Sequence, residues 1–346
     1  MTICNLQLRS LGAEQFLIKM TELTNIDAVT RTLQEEMRRD PRIFITGEDV
    51  GKRGGVFRAT KGLYEEFGGK RVVDSPLSEL SIVAVGIGAA LYGLRPVVEI
   101  QFADFIAPAF NQIVEEAARF RYRTHGEWQV PLVIRTPYGG GIGGGLYHSQ
   151  SIEATYSHIP GLYVVAPSTP YDVVGMLRYA LRVNDPVLFL EHKKAYRLIK
   201  GEVPDTDYVI PFGKADVKRV GSDVTVIAYG LMLHETLQAA EEVAHEDINV
   251  EVIDPRTLNP LDRDTILSSV KKTGKALIVH EDNLTLGLGA EIAALIASDA
   301  FEFLDAPVMR VAGPDVPAMP YARTMQDFFM PNAQKIADAI RKLNAY

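Results

Sequence analysis

Arg71-Val-Val-Asp-Ser-Pro-Leu-Ser-Glu-Leu-Ser-Ile-Val-Ala-Val-Gly-Ile-Gly-Ala-Ala-Leu91 decides the fold. A short β-branched run ends at Asp74, Pro76 breaks it, and an almost wholly apolar helix begins near Glu79. From Ser81 to Leu91 there is no polar face, so the spacing predicts a helix buried on all sides. Gly86 and Gly88 each cost such a helix on the order of 1 kcal/mol relative to Ala, which fits another backbone approaching closely there. Periodicity alone leaves open whether that neighbour is a second subunit or the interior of this chain.

The same strand-then-helix grammar runs outward on both sides. Strands are expected at Ile43 to Thr46, Arg71 to Val73, Pro96 to Ile100, Leu132 to Thr136, Leu162 to Ala166 and Val187 to Leu190. Between them, Ile106, Phe110, Ile113 and Ala117 recur at helical spacing. Alternation of this kind specifies an α/β domain with a parallel sheet. Around Lys200 to Gly213 the pattern lapses into turn formers, as a linker would. A smaller α/β domain then follows, with strands at Val224 to Tyr229, Val250 to Ile253, Ala276 to Val279 and Val308 to Val311. The expected division is an extension (1–20), a first domain (21–199), a linker (200–213) and a second domain (214–346), with Met20 a candidate true start. The length of 346 residues suits two domains.

Composition narrows the function. A net charge of −8 disfavours nucleic acid, whose binding draws on phosphate neutralisation by Lys and Arg. No apolar run is long enough to span a membrane, and the first 19 residues lack the pattern of a secretory signal. The single cysteine, Cys4, permits no internal disulfide, which fits a reducing compartment, with the cytoplasm as the expected location.

Polar groups stand at the carboxyl ends of the expected strands, where open α/β sheets hold their ligands: Glu48, Glu79, Gln101 and His148, the last carried by a loop with six glycines in seven positions (139–145). A carboxylate at the mouth of a buried helix should be largely desolvated and able to share a proton near neutral pH. The competing reading makes Ser78 or Ser81 a helix cap, with Glu79 merely favourable in the first turn. His148 has three readings: proton donor, carboxylate anchor or satisfied loop histidine. The glycine run matches neither a phosphate-binding loop nor a dinucleotide fingerprint, and the other histidines lack metal-ligand spacing.

Taken together, Phe44-Ile-Thr-Gly-Glu-Asp-Val-Gly, Arg71-Val-Val-Asp-Ser-Pro-Leu-Ser-Glu, Glu99-Ile-Gln-Phe-Ala-Asp-Phe, Leu146-Tyr-His-Ser-Gln-Ser and Asp185-Pro-Val-Leu-Phe-Leu-Glu-His closely resemble the β subunit of the 2-oxo acid dehydrogenase decarboxylase component, from about Leu23 to the C-terminus. The resemblance implies two transketolase-like domains, an N-terminal pyrimidine-binding domain and a C-terminal domain, in an α₂β₂ heterotetramer. It implies thiamine diphosphate as cofactor, with Glu79 hydrogen bonded to the pyrimidine ring nitrogen and Glu48, Leu77, Gln101 and Phe105 lining the pyrimidine pocket. His148 would face the 2-oxo acid substrate or the incoming lipoyl group of the acyltransferase component. The family's diphosphate-binding Gly-Asp-Gly motif is absent, so an α subunit would hold the magnesium diphosphate. A potassium site near Ala180 and Asp185 is a further implication, weakened by Val183 at a position where the family carries Asp. Tyr147 to Gln150, Glu191 to Lys200 and Gly313 to Pro320 look most like branched-chain enzymes, with pyruvate and acetoin relatives close behind. The non-catalytic alternative is a cofactor-binding scaffold subunit.

Overall fold

The computed structural model describes residues 19–346. The expected extension, the candidate start's upstream residues and Cys4 therefore lie outside the described residues, apart from Lys19 and Met20. Strands β1 (Met20–Thr24), β2 (Ile43–Gly47), β3 (Val72–Asp74), β4 (Arg95–Glu99), β5 (Val133–Tyr138), β6 (Tyr163–Val165), β7 (Val187–His192) and β8 (Lys200–Pro204) belong to the first domain. The second contributes β9 (Asp216–Arg219), β10 (Val224–Ala228), β11 (Val250–Asp254), β12 (Thr257–Asn259), β13 (Ala276–Asn283) and β14 (Met309–Gly313). Among the described residues no helix is long and apolar enough to cross a membrane.

A seven-stranded sheet runs β12-β6-β7-β5-β4-β2-β3, parallel except for β12. The period-2 alternation of its strands feeds two layers: Ile43, Ile45, Val97, Val133 and Phe189 pack towards the helix α1 (Asn25–Arg39) and the helix Pro170–Arg182, while Val98, Ile100, Leu132, Ile134 and Leu190 face the opposite layer. A five-stranded sheet, β14-β13-β10-β11-β9, forms the centre of the second domain, with β9 antiparallel. β12 follows β11 directly but crosses over to pair with β6. The apolar layer beneath the first sheet continues without interruption into Ile227, Tyr229, Ile253, Ile266 and Ile278. Two domains by sheet count thus share one core.

The expected linker is ordered at its start. Lys200 to Pro204 are β8, paired antiparallel with β1, so the chain's return to the second domain is tied to its own first strand. Tyr208, Ile210 and Phe212 then pack on the core beside Pro170–Arg182. The turn formers are real, but alternate apolar residues pin the segment down. The expected helix at Ile106 to Ala117 is also modified: two 3₁₀ turns (Ala103–Phe105, Ala107–Ala109) precede a wide π turn at Gln112–Ala117, and Ile106, Ile113 and Ala117 remain buried.

After α2 (Leu63–Phe67) comes the decisive helix, α3 (Glu79–Leu91), which is covered on one side only. Ile82, Val83, Gly86, Ile87 and Ala90 are buried, whereas Val85 is 59% exposed and Tyr92, just past its end, 91% exposed. The two glycines separate accordingly. A Cβ on Gly86 would lie 2.7 Å from Val98 and 3.0 Å from Leu132, while one on Gly88 would meet nothing within 4 Å. The expectation of all-round burial is corrected: this chain covers half of the helix and leaves an apolar flank outside.

Candidate active site

The site begins where β2 and β3 end. The Ser75 amide donates to Gly47 O at 2.8 Å, and the Gly51 amide donates to Asp74 Oδ1 at 2.6 Å. These two bonds tie the loop after β2 to the loop after β3 and bring Glu48 and Glu79 to the same mouth of the sheet. The negative charge of Glu79 is felt at Glu48, whose pKa is raised above its ordinary value by burial first and by Glu79 and Asp49 next. Among the described residues no Lys or Arg pairs with either carboxylate.

Glu79 occupies the first position of α3. Ser78 stands at the cap position, yet its hydroxyl donates to Ser81 Oγ at 2.9 Å and caps no helix amide. The serine-cap reading thus finds no bond, while a carboxylate in the first turn still suits the helix dipole. Glu79 is half-buried rather than sealed from water, a correction to the expected desolvation with the same cause as the open flank of α3. Leu77, expected to line a pocket, is 79% exposed and points away from this chain's core.

Gln101 lies at the end of β4 and donates from Nε2 to the backbone carbonyl of Glu48 at 3.4 Å, a long bond. Just beyond it, Phe102 and Phe105 form an aromatic corner, with ring centroids 5.6 Å apart. The His148 ring stands edge-on to both, 4.5 Å from Phe102 and 5.4 Å from Phe105. Gln101 and Phe105 are therefore linked by contact to the carboxylate mouth on one side and to His148 on the other. Phe102 and Asp104 were not singled out from sequence. Asp104 accepts from the Ser149 and Gln150 amides at 3.1 and 3.2 Å, fixing the backbone beside His148. The quoted Phe-Ala-Asp-Phe stretch contained them, but only a loop over 40 residues downstream gives them their task.

The proposed potassium residues stand apart from this mouth. Ala180 is buried within Pro170–Arg182. Asp185 engages Arg121, Nε to Oδ1 at 2.5 Å and an Nη to Oδ2 at 3.1 Å. Both carboxylate oxygens thus face a guanidinium, a poor setting for an added cation.

Residues 21–199 match the family model described as transketolase, pyrimidine binding domain, and residues 213–336 that described as transketolase, C-terminal domain. The chain is 56% identical to the 2-oxoisovalerate dehydrogenase subunit beta of Bacillus subtilis, over 94% of this chain and 99% of that protein. It is 46% identical to the pyruvate dehydrogenase E1 component subunit beta of the same organism, over 94% and 99%. It is 44% identical to the acetoin:2,6-dichlorophenolindophenol oxidoreductase subunit beta of Cupriavidus necator, over 91% and 95%. A solved structure described as a split gene transketolase, inactive β4 tetramer, superposes with a TM-score of 0.74 at 22% identity, covering 93% of this chain and 98% of that one, which speaks to fold. With its pyrimidine-binding and C-terminal domains in that order and relatives of this closeness along nearly its whole length, the chain belongs to the transketolase-like β subunits of 2-oxo acid dehydrogenases.

Proposed function

We propose that this chain is the β half of a thiamine diphosphate-dependent branched-chain 2-oxo acid dehydrogenase, which decarboxylates its substrate and passes the acyl unit to the lipoyl group of an acyltransferase, and that it acts only with an α subunit, as α₂β₂. The carrying observation is the Glu48 and Glu79 pair at one sheet mouth, paired with no cation among the described residues and left half-covered beside an exposed Leu77 and the open flank of α3. Such a pair is what remains when half of a site is in view.

The residues fit the pyrimidine half of the cofactor. Glu79 would meet the ring nitrogen, Glu48 and Gln101 would add polar contacts, and Phe105 with Leu77 would supply apolar walls. When bound, the cofactor supplies the carbon nucleophile for attack on the 2-oxo carbon. This chain's own part is to place the Glu79 carboxyl against the pyrimidine ring nitrogen and to present His148 on an aromatic corner for orienting substrate or lipoyl group. Magnesium and the diphosphate are assigned to the α subunit, since no Gly-Asp-Gly stretch exists here. A potassium ion beside Ala180 would have to displace Arg121 from the Asp185 carboxylate. The cytoplasm remains the assigned location.

The 56% relative favours a branched-chain substrate; pyruvate and acetoin remain the competing substrates, at 46% and 44%. The deciding test is Glu79→Gln in the complex coexpressed with an α subunit. It should assemble normally and lose decarboxylation by on the order of 100-fold or more. Near-normal turnover would sink the mechanism and favour a scaffold subunit. Cofactor binding to the complex but not to the isolated chain should accompany it.

A further inference from the structure

The glycine loop that carries His148 is pinched shut at its neck, where the Gly139 amide donates to Gln150 O at 3.0 Å. One pin, Asp104, comes from the first domain and holds the far side of the neck through Ser149 and Gln150. The near side is held from the other domain. The Gly140 amide donates to Glu281 Oε2 at 2.9 Å, and Glu281 Oε1 lies 2.6 Å from His192 Nε2. Glu281 and His192 are both buried, one on β13 and the other closing β7. Gly139 is held at φ +81°, and a side chain there would collide with the His192 ring.

Lys193, buried next to His192, joins the two pins. Its ammonium stands 5.7 Å from the Phe102 ring centroid and reaches Pro137 O at 3.4 Å, while the charges of Asp104 and Glu281 both favour it. Burial nevertheless lowers its pKa to about 8, so without those two carboxylates the ammonium would be harder still to keep charged. The cation backs the same Phe102 ring that the His148 ring meets.

We propose that Glu281 of the C-terminal domain is a positioning residue for His148, acting by pinning the Gly140 amide at the start of the glycine loop against the Asp104 pin at its other end. The inference rests on the proposed substrate-facing role of His148, and it gives the second domain a share in the chemistry through that residue. A positioning residue that sits this far from the reacting atoms can still matter, because misplacement of a catalytic group by about 1 Å costs on the order of 100-fold in rate.

Two substitutions separate reach from charge in the assembled complex. Glu281→Asp keeps the charge that faces His192 and Lys193 but is too short to reach both Gly140 and His192. It should lower kcat on the order of 10- to 100-fold, leave thiamine diphosphate affinity within about 2-fold and speed amide hydrogen exchange across residues 139–150. Glu281→Gln keeps the reach and should restore exchange protection and most of kcat. Unchanged exchange in Glu281→Asp, a loss of activity that merely follows lost cofactor affinity or assembly, or equal damage from both substitutions would overturn the proposal. Failure of the wild-type complex to decarboxylate any 2-oxo acid would instead remove the functional reading, and the exchange data would still decide whether Glu281 pins the loop.

Discussion

Two pairs of carboxylates sit at the same sheet edge and have opposite fates. Glu99 and Glu191, ending β4 and lying near the end of β7, are sealed around Arg135, which reaches Glu99 Oε2 and both oxygens of Glu191 at 2.7 Å, with the Tyr196 hydroxyl donating to Glu191 at 2.5 Å. Glu48 and Glu79, just past the ends of the next two strands β2 and β3, have no such guanidinium among the described residues and are only half-covered. A compensated, dry pair organises the sheet and leaves no capacity for a ligand. An open pair without a guanidinium keeps its oxygens free for a ligand, and burial beside the Glu79 charge raises the proton affinity of Glu48.

The comparison can be broken most forcefully at Arg135. Arg135→Met would strand Glu99 and Glu191 in a dry core and should cost about 3–5 kcal/mol, enough to abolish accumulation of folded protein in a chemical-denaturation assay. Replacing Arg135, Glu99 and Glu191 together by apolar residues of similar volume should recover most of that stability; a triple variant as unstable as the single one would refute the charge-compensation account. Glu79→Gln is the mirror experiment. Its melting temperature should stay within about 2 °C of wild type, since less than about 1 kcal/mol is at stake at a half-exposed carboxylate, while activity collapses.

Glu153 sharpens the contrast with a third kind of carboxylate, buried between the domains with no paired cation among the described residues and accepting from the Tyr229 hydroxyl at 2.9 Å. Burial, then the charges of Asp282 and Glu281, push its pKa up to about 8. A folded-state value above the unfolded one means that its protonated form stabilises the fold at low pH. That contribution is complete below the ordinary 4.5 and is lost as pH rises through about 8. Glu153→Gln should therefore raise the melting temperature at pH 8 by several degrees, at about 2–4 °C per kcal/mol for domains of this size, and the difference should vanish below pH 4.5. An identical gap at both pH values would show that packing, not titration, is responsible. The smallest effect belongs to the exposed Arg119 and Glu115 pair: Arg119→Ala should change stability by less than about 0.5 kcal/mol in the same assay.

Much of this was legible along the chain. The strands of the main sheet stand within a residue or two of their β-branched runs, because a strand buried on both faces writes itself as a short apolar stretch. Glu48, Glu79, Gln101 and His148 were visible as polar groups at strand ends. The strands β1, β8, β9 and β12 were not foreseen. β8 is Lys-Gly-Glu-Val-Pro and β12 only three residues long, so neither carries a period, and each owes its pairing to a partner distant in sequence. Glu281 escaped for a similar reason: it serves a loop 141 residues away, and no local pattern encodes that distance.

By itself the sequence determined the α/β class, the two-domain order, the apolar content of α3 and the set of polar groups from which a site could be built, because local periodicity and residue chemistry are properties of neighbouring positions. Only the tertiary structure decided which side of α3 is covered, which carboxylates receive a guanidinium, and that β12 and Glu281 of the second domain reach back to complete the first. Burial and charge compensation depend on what lies across space, and a one-dimensional pattern holds no record of its neighbours there.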